Sequence, residues 1–220
     1  RARCWAGCWT AWPAPVTVVS GLSSLRATSS EVVSHRAHRV VGTSQGTWKW
    51  SNDTIERVTP SGSVFDLLST PAGLLSAQSN GLFVVRPDGH RKLSGTDAYS
   101  LHRSRHHPSR VYVGLYGDGL LQLRREQGRW QVVDTTRRVQ TPAYTLAEDT
   151  SGALWVGTGH RGLVRFGPPV DALDTAPLTR RDTTDGLPAS SFNYTVQLGN
   201  DVRFITRDGL YRPVGDSARP

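Results

Sequence analysis

An all-β fold of the propeller type is predicted by three observations. A short apolar strand, a small loop and a glycine opening a second apolar strand recur five times along the 220 residues. The glycines that open the second strand, Gly46, Gly81, Gly119, Gly162 and Gly209, step by 35, 38, 43 and 47 residues. A period of that size, made of strands and turns rather than helices, marks stacked sheets around an axis. The third observation is that runs such as Val111-Tyr112-Val113 and Leu154-Trp155-Val156 are apolar at successive positions. Strands of that kind are covered on both faces.

The clearest unit spans 142–182. Its first strand is Ala143 to Ala147, followed by the turn Asp149-Thr150-Ser151-Gly152. The second strand is Ala153 to Gly157, the third Gly162 to Phe166 and the fourth Leu178 to Arg181. Asp and Gly supply the tight or left-handed backbone that hairpins need. The same four-strand pattern reads through 30–58, 64–94 and 98–134. The last unit, 191–213, has strands at Asn193 to Leu198, Val202 to Ile205 and Leu210 to Arg212, with no evident fourth strand. Val16 to Val19 has the position of an orphan outer strand, which would either close a five-bladed ring against Leu210 to Arg212 or end a missing blade. The propeller is thus expected over 16–214, with an irregular segment at 1–15 and a tail at 215–220.

Composition narrows the function. The net charge of +8 favours anionic partners, but the basic residues are scattered in pairs such as Arg124-Arg125, Arg137-Arg138 and Arg180-Arg181. Without a recognition helix or an aromatic RNA motif, nucleic acid is not an expected partner. No run approaches the ~18 apolar residues of a membrane span. The chain contains no Met and is read as part of a longer protein. Cys4 and Cys8 amount to half a zinc site, and no metal or other cofactor is expected. Gly157-x-Gly159-x-x-Gly162 has nucleotide-loop spacing but lacks the helix that such a loop must precede.

The stretch Glu148-Asp149-Thr150-Ser151-Gly152-Ala153-Leu154-Trp155-Val156-Gly157-Thr158 through Gly162-Leu163-Val164-Arg165-Phe166 resembles the two-component regulator propeller repeat. That repeat reads Glu-Asp-x-x-Gly-x-Leu-Trp-(Ile/Val)-Gly-Thr-x-x-x-Gly-Leu-x-(Arg)-Phe. Asp185-Gly186-Leu187-Pro188 and Phe192-Asn193 are similar to its inter-blade loop and to the entry of a late blade. The resemblance covers residues 30–213, closely over one blade and more loosely over four. Ser76-Ala77 and Gly114-Leu115 stand where the repeat has Gly-Thr. It implies a seven-bladed ring on the periplasmic or extracellular face of a bacterial membrane receptor. In that family a membrane helix and a histidine kinase or diguanylate cyclase follow, and the receptors work as dimers. Those segments lie outside this sequence, so any membrane link would run through flanking parts.

The expected function is therefore recognition of a ligand, such as an oligosaccharide or another anionic small molecule, by the input module of a receptor. No catalytic motif is present, and a free-standing binding scaffold or a carbohydrate-active enzyme is the alternative. In an antiparallel meander, the loops between second and third strands share one rim with the connections between blades, where a rigid scaffold commonly presents binding residues. On that rim Tyr116, His160, Arg161 and Arg207 are the candidate ligand contacts, an aromatic ring for stacking and guanidinium groups for pairing with an oxyanion. Trp48 and Trp155 are expected to pack. Gly157, Gly162 and Gly209 are expected to give backbone freedom at strand ends.

Overall fold

The computed structural model describes residues 31–35, 38–51, 54–117, 119–168, 170–214 and 217–219. The 1–15 segment, with Cys4 and Cys8, and the strand expected at Val16 to Val19 lie outside the described residues. The chain is a β-propeller arc. Twenty strands form five sheets of four, each an antiparallel meander in chain order.

Blade I holds β1 (Glu31–His35), β2 (His38–Thr43), β3 (Gly46–Ser51) and β4 (Thr54–Arg57). Blade II holds β5 (Val64–Thr70), β6 (Gly73–Gln78), β7 (Gly81–Arg86) and β8 (Gly89–Ser94). Blade III holds β9 (Ala98–Arg103), β10 (Arg110–Leu115), β11 (Leu120–Glu126) and β12 (Arg129–Thr136). Blade IV holds β13 (Ala143–Glu148), β14 (Leu154–Thr158), β15 (Leu163–Phe166) and β16 (Leu178–Arg181). Blade V holds β17 (Tyr194–Leu198), β18 (Asp201–Thr206), β19 (Gly209–Val214) and β20 (Ser217–Arg219).

Blade V therefore has the fourth strand that its sequence does not announce. β20 pairs with β19 through Arg212↔Arg219 and Val214↔Ser217. It falls where a tail was expected, and it occupies the edge of β19 that an orphan strand would have needed. Three residues without apolar alternation carry no strand signal, and the pairing comes from the open ladder of β19.

The innermost strands β1, β5, β9, β13 and β17 lie side by side in that order. The core is a series of layers between consecutive blades. One layer joins Leu75 and Val84 of blade II to Leu101, Val111 and Val113 of blade III, with Trp130 closing it. The next joins Tyr112 and Leu120 to Leu146, Val156 and Phe166. The third joins Ala147, Trp155 and Leu163 to Val202 and Phe204. The apolar runs of β6, β10 and β14 are buried at nearly every position because both faces meet such a layer. Trp155 packs as expected, with its ring 5.0 Å from that of Phe204. Trp48 is only half-buried and lies under the guanidinium of Arg57.

The connection 167–177 is the longest within a blade. It folds back over blades III and IV and buries Val170, Leu173 and Ala176. The Val170 carbonyl accepts from Arg110 Nη1 at 2.9 Å, and Asp171 pairs with Arg110 at 2.7 Å.

Candidate functional site: a ring-lined rim

The innermost strands open alike: Val64-Phe65-Asp66-Leu67, Ala98-Tyr99-Ser100-Leu101, Ala143-Tyr144-Thr145-Leu146 and Asn193-Tyr194-Thr195-Val196. The first and third residues of each set are buried. In three blades the second residue drops out of the ladder. Val64 pairs with Gln78 and Asp66 with Ala77, which leaves Phe65 over. Ala98 and Ser100 bracket Tyr99 against Leu115 and Gly114. Ala143 and Thr145 bracket Tyr144 against Thr158 and Gly157. A bulge of this kind adds one residue and re-aims its side chain. The aromatic rings are thereby turned out of the alternating core pattern and onto the rim.

There they meet one another. Phe65 stacks on Tyr99 with centroids 4.6 Å apart. Tyr99 lies 4.9 Å from Tyr144, and Tyr144 lies 6.2 Å from Tyr194. Tyr116, from the β10–β11 loop, reaches both Tyr99 (6.1 Å) and Tyr144 (6.3 Å). Phe65 and Tyr116 are exposed and the other three rings half-exposed. Burial, followed by the neighbouring tyrosines, raises the pKa of Tyr99 and of Tyr144. The phenols of Tyr99 and Tyr144 are therefore neutral near pH 7, able to donate and accept at the edge of an apolar surface.

The third residue of each set fastens one blade to the next. Asp66 Oδ2 accepts from the Leu101 amide at 2.7 Å. Ser100 Oγ donates to the Ala143 carbonyl at 3.2 Å. Thr145 Oγ1 accepts from the Thr195 amide at 2.7 Å. The close approach needs a small residue on the second strand. A Cβ at Gly114 would lie 2.3 Å from the Ala143 carbonyl oxygen, and one at Gly157 would lie 2.7 Å from that of Asn193. The role of Gly157 is thus clearance for the neighbouring blade rather than backbone freedom. Gly162 and Gly209 do take positive φ, 74° and 133°.

The ladders also correct the placement of the repeat on blade II. Ala77 pairs with Leu82 as Gly157 pairs with Leu163, so Ala77-Gln78, rather than Ser76-Ala77, occupies the Gly-Thr position. The threonine of that pair closes the next turn, Thr43 donating to the Gly46 carbonyl at 3.0 Å and Thr158 to that of Gly162 at 2.5 Å.

The β14–β15 loop is gripped from both sides by inter-blade connections. The Gly159 amide donates to the Pro142 carbonyl, its carbonyl accepts from the Phe192 amide, and the Gly162 amide donates to the Ser190 carbonyl. His160 and Arg161 stand out from this fixed loop, both exposed. The His160 ring meets the edge of Phe192 at 6.3 Å. Arg161 donates to Gln140 Oε1 at 3.1 Å. A Cβ on Gly159 would fall 2.7 Å from the Tyr144 ring, so the loop lies directly against the ring cluster.

The structure thus brings Tyr116 into the rings and sets His160 and Arg161 on the loop beside them. It does not bring Arg207 there. That side chain is exposed on the β18–β19 turn and pairs with its neighbour Asp208 at 3.0 Å. The rings of Phe65, Tyr99, Tyr144 and Tyr194 were missed in the sequence because an aromatic residue beginning a strand reads as core. Their recurrence one residue before Asp, Ser or Thr was the available signal. Among the described residues, no three His, Cys, Asp or Glu side chains gather as metal ligands, and His102, His106 and His107 form no such group.

Similar solved structures share this architecture. The extracellular domain of the hybrid two-component system BT3049 from B. thetaiotaomicron superposes with a TM-score of 0.68 at 15% identity, over 89% of this chain and 28% of that one. The extracellular domain of BT4673, a one-component system from the same organism, gives 0.62 at 17%, over 81% and 26%. PorZ, a surface component of the type-IX secretion system of Porphyromonas gingivalis, gives 0.59 at 13%, over 86% and 33%. The chain spans about a quarter to a third of the length of these proteins. No protein-family model and no curated protein matches the sequence. At such identities the likeness establishes the fold, a β-propeller.

Proposed function

We propose that the chain is a ligand-recognising propeller module of a signal-transduction receptor, and that it takes its ligand on the ring-lined rim. One observation carries this: five aromatic rings from four innermost strands and one loop make a continuous, partly exposed surface at one end of the arc. A surface of flat rings edged with phenol hydroxyls suits the apolar face and hydroxyl rim of a sugar ring. Tyr116, Tyr99 and Tyr144 would stack, while His160 and Arg161 would contact the ligand's polar edge. Arg207 stands outside this cluster.

The architectural likeness to extracellular domains of B. thetaiotaomicron signalling proteins supports an input role and a position outside the cytoplasm. Binding that favours one arrangement of two receptor copies over another would carry the signal onward.

The test is a calorimetric titration of the chain with a panel of neutral and anionic oligosaccharides. Binding by at least one, weakened about tenfold in Tyr144→Ala as a lost stacking contact of about 1.4 kcal/mol requires, is the expected result. Binding by none of them, or equal binding by wild type, Tyr99→Ala and Tyr144→Ala, would overturn the proposal.

A further inference from the structure

Where blades III and IV meet, the guanidinium groups of Arg161 and Arg180 both hold the connection at residues 138–140. Arg180 sits on the outer strand β16, yet its Nη2 reaches across to the carbonyls of Arg138 (2.8 Å) and Val139 (3.0 Å). Its Nη1 is buried without a hydrogen-bond partner. Arg161 holds the next residue, Gln140, through its side-chain oxygen. The two guanidinium groups therefore grip three consecutive residues of one connection. Burial lowers the pKa of Arg180, and the charge of Arg161 lowers it further.

Neither arginine forms an ion pair among the described residues. The acidic groups that follow β16 are engaged elsewhere. Asp185 holds Arg181 at 3.5 Å, and Asp182 accepts from the Thr184 amide and hydroxyl. Arg138, the remaining cation of the connection to face this boundary, spends its Nη1 on the carbonyls of Leu173, Asp174 and Ala176. A buried, charged donor left unpaired beside a like charge is an unfavourable arrangement. It is relieved when an anion enters between the two cations.

We infer that Arg161 and Arg180 form a subsite for an oxyanion carried by the ligand: a sulfate, phosphate or carboxylate group at the edge of the ring-lined rim. Arg161 is exposed and held by one bond from its side chain, to Gln140. An oxyanion that enters beside Arg180 Nη1 and draws Arg161 away from Gln140 would accept from both guanidinium groups. The inference rests on the proposed rim recognition for the remainder of the ligand, the rings taking its flat face and the arginine pair its charge.

The experiment follows the arginine Nε–Hε resonances of the whole chain by NMR. Sodium sulfate, phosphate and acetate are titrated separately, each against sodium chloride at equal ionic strength. Saturable binding of at least one oxyanion is expected, weakened about tenfold or more in Arg161→Gln and Arg180→Gln and unchanged in Arg207→Gln, whose side chain pairs with Asp208 outside the cluster. The three salts show which oxyanion is taken. No saturable shift beyond that of chloride would overturn the inference, as would wild-type binding in Arg161→Gln or an equal loss in Arg207→Gln. Arg161→Gln alone decides the matter if Arg180→Gln does not fold, since Arg161 is exposed. Oligosaccharide binding through the tyrosines without oxyanion binding would remove this subsite and leave the rim proposal standing; oxyanion binding without oligosaccharide binding would do the reverse.

Discussion

The carboxylate of Asp66, buried in blade II, accepts the backbone amide of Leu101 in blade III at 2.7 Å. It is the charged member of a series of side chains that fasten neighbouring innermost strands, beside Ser100 and Thr145. Removing it leaves a buried amide without a partner. Asp66→Ala should destabilise the chain by about 1–3 kcal/mol, and Asp66→Asn, which keeps an acceptor, by less. Urea denaturation midpoints of the three proteins check this; equal midpoints would show that the amide finds another partner.

Gly114 and Gly157 set the spacing between blades. An added methyl at Gly114 would meet Ser100 Oγ and the Ala143 carbonyl oxygen, each at 2.3 Å. The backbone carbonyl cannot move aside without opening the blade boundary. Gly114→Ala should therefore cost about 1–3 kcal/mol and lower the thermal midpoint, while Gly117→Ala, with nothing within 4 Å, serves as the control.

Tyr112 should make the protein sensitive to alkali. Burial pushes its phenol up to about 12, helped by the charge of Glu148 and opposed by Arg110. The folded state holds this proton more tightly than the unfolded chain. The resulting stability is complete below the unfolded value near 10 and is lost as pH rises from there toward 12. A shift of that size corresponds to about 2–3 kcal/mol. Tyr112→Phe, lacking the ionisable group, should lose less stability than wild type between those limits, as read from chemical denaturation at fixed pH values.

Blade V presents an apolar face to solvent. Ile205 and Leu210 pair across β18 and β19 and are 42% and 50% exposed, and Leu198 at the far end of β17 is 49% exposed. The face of blade IV turned the same way is covered, with Trp155 at 4% and Leu163 at 0%. Exposed patches of this kind promote association. The chain should self-associate with rising concentration, and Ile205→Lys with Leu210→Lys should shift it toward monomer in sedimentation experiments. An unchanged sedimentation profile would mean that another surface is responsible.

The strands of blades II to IV were legible because their apolar runs are continuous and their turns carry Asp, Gly and Pro. The Asp149 position of the repeat also gains a physical reason. Its carboxylate accepts from Ser151, Ala153 and the Trp155 indole, bonds that outweigh the effect of burial and leave its pKa lowered. The aromatic rim was not legible, because alternation cannot foresee a bulge: Tyr99 and Tyr144 read as ordinary strand residues until the register slips past them. Topology placed Arg207 at the correct end of its blade, but sequence position says nothing of lateral distance, and Asp208 next to it takes up its charge. Arg180 escaped notice for the opposite reason. It belongs to an outer strand, and only the length of its side chain carries it to the rim.

Every described sheet is completed by four consecutive strands, with none borrowed from another blade. Ladder contacts are therefore local in sequence, while neighbouring blades meet through side chains and single fastening bonds. In such an arrangement a blade can form before its neighbours exist, and stability accumulates unit by unit. Whole blades can accordingly be gained or lost at the connections between them without cutting a single backbone ladder, so length itself is a variable that evolution or an engineer can change in quanta.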